Sequence, residues 1–173
     1  MGAAVAAVGV AVFVDWGGSG AAPRAVGLPR FVPDAARRGL APAFDGAARE
    51  SRVPVALLMA VTWRESEWTE SLVSGAGAVG IGQLLPSTSV FVGQQLLHDA
   101  RLDPRRPVDN IRLSARYLRE LIDTFHGDAR LGVGAYLQGS TSVATRGLTP
   151  LTVDYVNQVD ALRAQFTAAR RGR

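Results

Sequence analysis

Ile111, Ala115, Leu118, Ile122 and Phe125 recur every three or four residues through the stretch "NIRLSARYLRELIDTFHG". That spacing places them on one face of a helix, and such a helix must bury its stripe against a partner. A second stripe, Val153, Val156, Val159, Leu162 and Phe166, follows Thr149 and Pro150, which suit a cap and a first helical position. Asp109 precedes the first stripe, Gly127 is a natural stop after it, and Asp128 can cap "ARLGVGAYLQG". Pro42, Pro54 and Pro86 each open a further segment of helical character. Long alternating runs of the strand type are missing. The expected fold class is all-α, with at most a small β element near the glycines of residues 74–83.

A chain of 173 residues suits one domain with a proper core. It has no cysteine, which excludes disulfides and thiolate metal sites. The net charge is +4 and every basic residue is arginine, but the arginines are scattered, so no nucleic-acid surface is expected. His98 and His126 have no partner at metal-ligand spacing, which points to surface or packing roles.

Residues 2–14 form the apolar run "GAAVAAVGVAVFV". A membrane span needs about 20 residues, so the run fits an export signal or a short anchor instead. No Arg or Lys precedes it; either the α-amino group supplies the charge or the natural start lies upstream. The expected organisation is a signal or anchor over 1–22, a Pro- and Gly-containing linker over 23–40, and a folded domain over 41–173.

The stretch "SGAGAVGIGQ" contains a formal G-x-G-x-x-G in Gly75, Gly77 and Gly80. A dinucleotide loop needs a strand before the first glycine and a helix opening at the last. Here a helical segment precedes it and "IGQLLP" follows, so nucleotide binding is not expected. The glycines read better as a site of close backbone approach, with Val79 and Ile81 as anchors.

Leu58, Val61, Glu65 and Trp68 fall on one face of the preceding helix, and Glu65 is the one polar member. A carboxylate on an apolar face is costly without a partner, either an arginine or a proton. A Glu that holds its proton to neutral pH is suited to general-acid cleavage of a glycosidic bond. Trp63 and Trp68 offer faces for sugar stacking, with Trp68 placed to support Glu65 and Trp63 to join the core.

These residues resemble the lytic transglycosylase SLT domain, a relative of goose-type lysozyme. Its helix ending in Glu-Ser is matched by Glu65 and Ser66, and its glycine-rich block by Ser74, Gly77, Ala78, Gly80, Gln83, Pro86 and Thr88. Its Asn-Ile segment is matched by Asn110, Ile111, Tyr117 and Leu118, and its Ala-Tyr segment by Ala135, Tyr136 and Gly139. Its closing block is matched by Thr152, Tyr155, Val156 and Val159, so the likeness runs from about Ala41 to Phe166.

The resemblance implies a compact helical, lysozyme-like domain with a substrate groove. It implies cleavage of the β-1,4 bond between N-acetylmuramic acid and N-acetylglucosamine in peptidoglycan, with 1,6-anhydromuramoyl ends as product. Glu65 would be the acid/base and Tyr136 its hydrogen-bonding partner. Ser74, Gln83 and the backbone of Gly80 and Ile81 would face the glycan. No metal or cofactor is implied, the partner is the glycan strand, and a secreted or membrane-anchored monomer acting at the cell wall is expected. Tyr117 and Tyr155 are expected to pack between helices.

Three positions depart from the family pattern. Gly82 replaces a Met, which removes an apolar wall. Leu137 replaces an Asn, whose amide the adjacent Gln138 would supply. Ser114 replaces a Gly, a change with little expected effect. A hydrolytic goose-type muramidase is the near alternative and would need a second carboxylate, for which Asp99, Asp103 and Asp109 lie in the right region. A non-catalytic peptidoglycan-binding module is the third reading.

Overall fold

The computed structural model describes residues 39–171, so the expected signal or anchor and nearly all of the linker lie outside the described residues. Seven helices follow in order: α1 (Ala41–Ser51), α2 (Val55–Ser66), α3 (Pro86–Phe91), α4 (Pro107–Thr124), α5 (Ala129–Gln138), α6 (Ser140–Arg146) and α7 (Pro150–Arg171). A π-helical turn, Val92–Leu96, continues α3 directly. The only β pairing among the described residues is two isolated bridges, Val73 with Val79 and Val79 with Leu84. The all-α expectation holds, including the small β element beside the glycines.

Helix α2 is the centre of the domain. Leu57, Leu58, Ala60 and Val61 are almost fully buried, because α1, α4 and α7 all pack against it. Both predicted stripes face inward: Ile111, Ala115, Leu118 and Ile122 from α4, and Val156, Val159, Leu162 and Phe166 from α7. Asp128 caps α5 by accepting from the amides of Arg130 and Leu131. Gly127, at φ 92°, follows the end of α4.

Helix α2 stops earlier than its apolar pattern suggests. Glu67 and Trp68 take left-handed φ values of 49° and 59°, so the chain reverses after Ser66. The reversal carries Trp68 off the Glu65 face and into the core, where it is 4% exposed. Its ring stacks on Phe166 with centroids 5.5 Å apart and lies edge-on to Trp63 at 5.1 Å. Its Nε1 donates to Thr62 Oγ1 at 3.0 Å. Trp68 is therefore a core residue and not a sugar platform.

Two further boundaries differ. Helix α4 starts at Pro107, which puts Asp109 inside the first turn and not before it. Its carboxylate favours the helix dipole there and accepts from the Asp103 amide. Helix α6 was not expected; Val143 is its one buried residue, so it has no stripe to read.

Trp68→Ala removes a buried indole from three aromatic neighbours. A loss of about 3–5 kcal/mol in unfolding free energy is expected by denaturant titration.

Candidate active site

Glu65 is the penultimate residue of α2 and is half-buried. Burial disfavours its charged form and raises its pKa from 4.5 to about 7. Two groups oppose the rise: a hydrogen bond from Tyr155 and the positive charge of Arg64.

Tyr155 stands on α7 and is itself buried. Its hydroxyl donates to Glu65 Oε1 at 2.5 Å. The Arg64 guanidinium lies 5.6 Å from the centroid of the Tyr155 ring, and its Nε donates to Gln158 Oε1 at 2.7 Å. Arg64 thus braces the tyrosine from outside without taking Glu65 as an ion-pair partner.

Tyr136 does not play the part expected of it. Its hydroxyl donates to the Gly82 carbonyl at 2.8 Å, although it lies close enough to Glu65 for the two titrations to interact. The partner of Glu65 is Tyr155, a residue expected to pack between helices. Tyr155 is on the buried face of α7, and the packing of α7 along α2 brings it to the carboxyl.

The glycine-rich loop is fastened to this corner by side chains from three directions. Ser66 Oγ donates to the Ile81 carbonyl at 2.7 Å, and the Gly82 amide donates to Asn110 Oδ1 at 2.7 Å. Asn110 Nδ2 donates to the carbonyls of Val79 at 2.9 Å and Pro104 at 2.8 Å. Gly80 has φ 73°, and a Cβ there would lie 2.7 Å from Asn110 Nδ2. The close approach read from the glycines is real, but the approaching group is Asn110 of the same chain.

Several residues expected to face the glycan are occupied or covered. Gln83 is buried, and its Nε2 donates to the carbonyls of Leu72 and Gly80 at 3.1 and 2.9 Å. Ile81 is fully buried, and the Gly80 amide donates to Leu72 O at 2.8 Å. Ser74 Oγ accepts from the Ala78 amide at 3.0 Å within the turn. Gln138 does not replace the missing Asn: its Nε2 donates to Ser142 Oγ and Gly147 O, and its Oε1 accepts from the Thr149 amide. These groups shape and stiffen the site through their bonds within the chain.

The three candidate second carboxylates are engaged elsewhere. Asp99 accepts from Arg101, Asp103 from the Arg105 amide, and Asp109 from the Asp103 amide. No carboxylate is among the groups that shift Glu65. The corner therefore offers one acid that can release and retake a proton near neutrality.

The transglycosylase SLT domain family model matches residues 42–150. A Haemophilus influenzae protein with the provisional name soluble lytic murein transglycosylase is 31% identical over 102 residues, covering 58% of this chain and 17% of that protein. The fold is similar to an inactive glutamate-to-glutamine mutant of lytic transglycosylase Slt from Pseudomonas aeruginosa. Its TM-score is 0.69 with 23% identity, covering 78% of this chain and 25% of that one. It is similar also to the 70-kDa soluble lytic transglycosylase from Escherichia coli, with a TM-score of 0.69 and 22% identity, covering 75% and 24%. The chain thus spans a quarter or less of the length of these relatives.

Two outcomes follow from the Glu65 environment. Tyr155→Phe removes a donor that favours the carboxylate, so the Glu65 midpoint should move above about 7 in a carboxyl carbon NMR titration. A raised folded-state pKa means that wild-type stability declines as pH rises from 4.5 toward about 7. Glu65→Gln does not titrate, so its melting temperature should gain on wild type across that window.

Proposed function

Because the chain belongs to the transglycosylase SLT domain family, we propose that it is a peptidoglycan lytic transglycosylase. It cleaves the β-1,4 bond between N-acetylmuramic acid and N-acetylglucosamine and leaves 1,6-anhydromuramoyl ends. The observation that carries this reading is Glu65, half-buried at the end of α2, held by a phenol and protonated up to about neutral pH.

Protonated Glu65 donates its proton to the bridging oxygen as the bond from that oxygen to the muramoyl C1 breaks. The resulting carboxylate then takes the proton of the sugar's own C6 hydroxyl as that oxygen bonds to C1. The proton returns to Glu65, and no water is consumed. Tyr155 stabilises the carboxylate formed between the two transfers and releases little of its own proton, since burial and the Glu65 charge hold its pKa well above the ordinary value. The Pseudomonas aeruginosa neighbour described as an inactive glutamate-to-glutamine mutant supports a carboxyl of this kind as essential.

The engagement of Asp99, Asp103 and Asp109 with local partners favours this reading over a hydrolase that must activate water with one of them. Retention of the buried acid favours it over a passive binding module. Murein lies outside the cytoplasmic membrane, so we place the domain there, secreted or anchored through residues 1–22. Among the described residues no helix is long and apolar enough to cross a membrane.

Purified peptidoglycan should be digested with wild type and Glu65→Gln and the muropeptides read by mass spectrometry. Anhydro ends are expected from wild type, with the rate lower by about 10²–10⁴ in the variant. Reducing ends would make the enzyme a muramidase, and equal activity in both proteins would remove Glu65 from the chemistry. The wild-type rate should fall as pH rises through about 7, where the acid loses its proton.

A further inference from the structure

Two departures from the family pattern that lie far apart in sequence meet in space. By the resemblance drawn from the sequence, Gly82 stands at a Met position and Ser114 at a Gly position. Gly82 is not among the residues with left-handed φ, so the backbone does not require glycine there. A neighbour does. A Cβ on residue 82 would lie 1.9 Å from Ser114 Oγ, 2.9 Å from Ser114 Cβ and 3.0 Å from Tyr136 Oη. The two closest clashes belong to the Ser114 side chain and would vanish with a glycine at 114. The change at Ser114 is therefore not the minor one expected.

Ser114 is fully buried and cannot touch a glycan. It reaches the site through others. Its hydroxyl donates to Asn110 Oδ1 at 3.4 Å, and it borders, with the Tyr136 phenol, the space that a Cβ on residue 82 would take. Asn110 Oδ1 accepts from the Gly82 amide, and Tyr136 donates to the Gly82 carbonyl. Both backbone polar atoms of Gly82 are thus held by the two side chains that Ser114 meets.

We propose that Gly82 and Ser114 form a reciprocal pair, with Ser114 filling the side-chain space vacated at position 82 and acting as a positioning residue that keeps the Tyr136 phenol on the Gly82 carbonyl and off Glu65. The groups facing Glu65 are Tyr155 from α7, Tyr136 from α5 and Arg64 on its own helix. Those facing Tyr136 are Glu65, Tyr155, and Tyr117 and Ser114 from α4. While Tyr136 stays on the loop, Glu65 has one phenol donor. A second donor would favour the carboxylate and weaken the acid. The value of this arrangement for catalysis rests on the proposed function; the steric pairing does not.

The test combines thermal melts of Gly82→Ala, Ser114→Gly and the double variant with an NMR titration of Glu65 in Ser114→Ala. Gly82→Ala alone should lower Tm by about 5 °C through overpacking. On the Ser114→Gly background the same change should cost about 2 °C or less. Additive Tm shifts would overturn the pair. Ser114→Ala keeps the Cβ but loses the hydroxyl, so Tm should stay within about 3 °C of wild type. The Glu65 midpoint should fall as Tyr136 is released toward the carboxyl. An unmoved midpoint would overturn the positioning role. Neither readout needs activity, so an inactive wild type would sink the proposed function and leave this inference to be decided by the melts and the titration.

Discussion

A carboxyl group at the end of a buried helix needs a partner, and the choice of partner sets what it can do. An arginine against Glu65 would hold the carboxylate charged and leave no proton to donate. Tyr155 is a neutral donor. It fixes the carboxyl at 2.5 Å and moderates the desolvation without reversing it, so the group titrates near 7. Arg64, the nearest cation in sequence, is turned onto the face of Tyr155 and onto Gln158. Its charge is felt by Glu65 only as the smallest of the three influences. The α2–α7 packing is thus also what tunes the acid.

The same corner depends on a loop that satisfies itself. Asn110 is 1% exposed and has its whole amide paired, accepting from Gly82 and Ser114 and donating to Val79 of the loop and Pro104 of the turn that leads into α4. A buried amide with every group paired is stabilising, whereas a half-paired one is costly, so the loop has one conformation strongly preferred over others. Gly80 is required because Asn110 approaches where its side chain would be. With Ser66 tying Ile81 to the end of α2, the loop is held at a fixed distance from the residue next to Glu65. Rigid support of this kind is what a proton shuttle over short distances demands.

Most of the helical frame was legible because each stripe, cap and proline reports on local physics. Asp128, Gly127 and Pro150 act where their chemistry says they should. The end of α2 was not legible, since left-handed Glu67 and Trp68 are held by tertiary packing and have no glycine to announce them. The choice between Tyr136 and Tyr155 was not legible either. Helical phase turns both inward, and only the approach of α7 to α2 decides which phenol meets Glu65. Gln138 shows the converse error: an amide adjacent to a missing amide suggested replacement, but its three bonds lock the α5–α6–α7 corner. Sequence singled out Glu65, because an apolar face with one carboxyl is a local anomaly, whereas the phenol that meets it arrives from a distant helix.

The arrangement also bears on where the nucleophile comes from. A hydrolase working by inversion needs a second carboxylate to deprotonate water on the far side of the sugar. Asp99 is drawn to Arg101 and Arg112, and its pKa is lowered by them, so it is a poor base. Asp103 and Asp109 serve the turn that leads into α4. With those acids committed to local structure, none of them is free to serve as a base for water, whereas under the proposed function the C6 hydroxyl would arrive with the substrate. In the proposed reaction Glu65 would serve twice, because a pKa near 7 makes it about equally able to give and to take a proton at neutral pH.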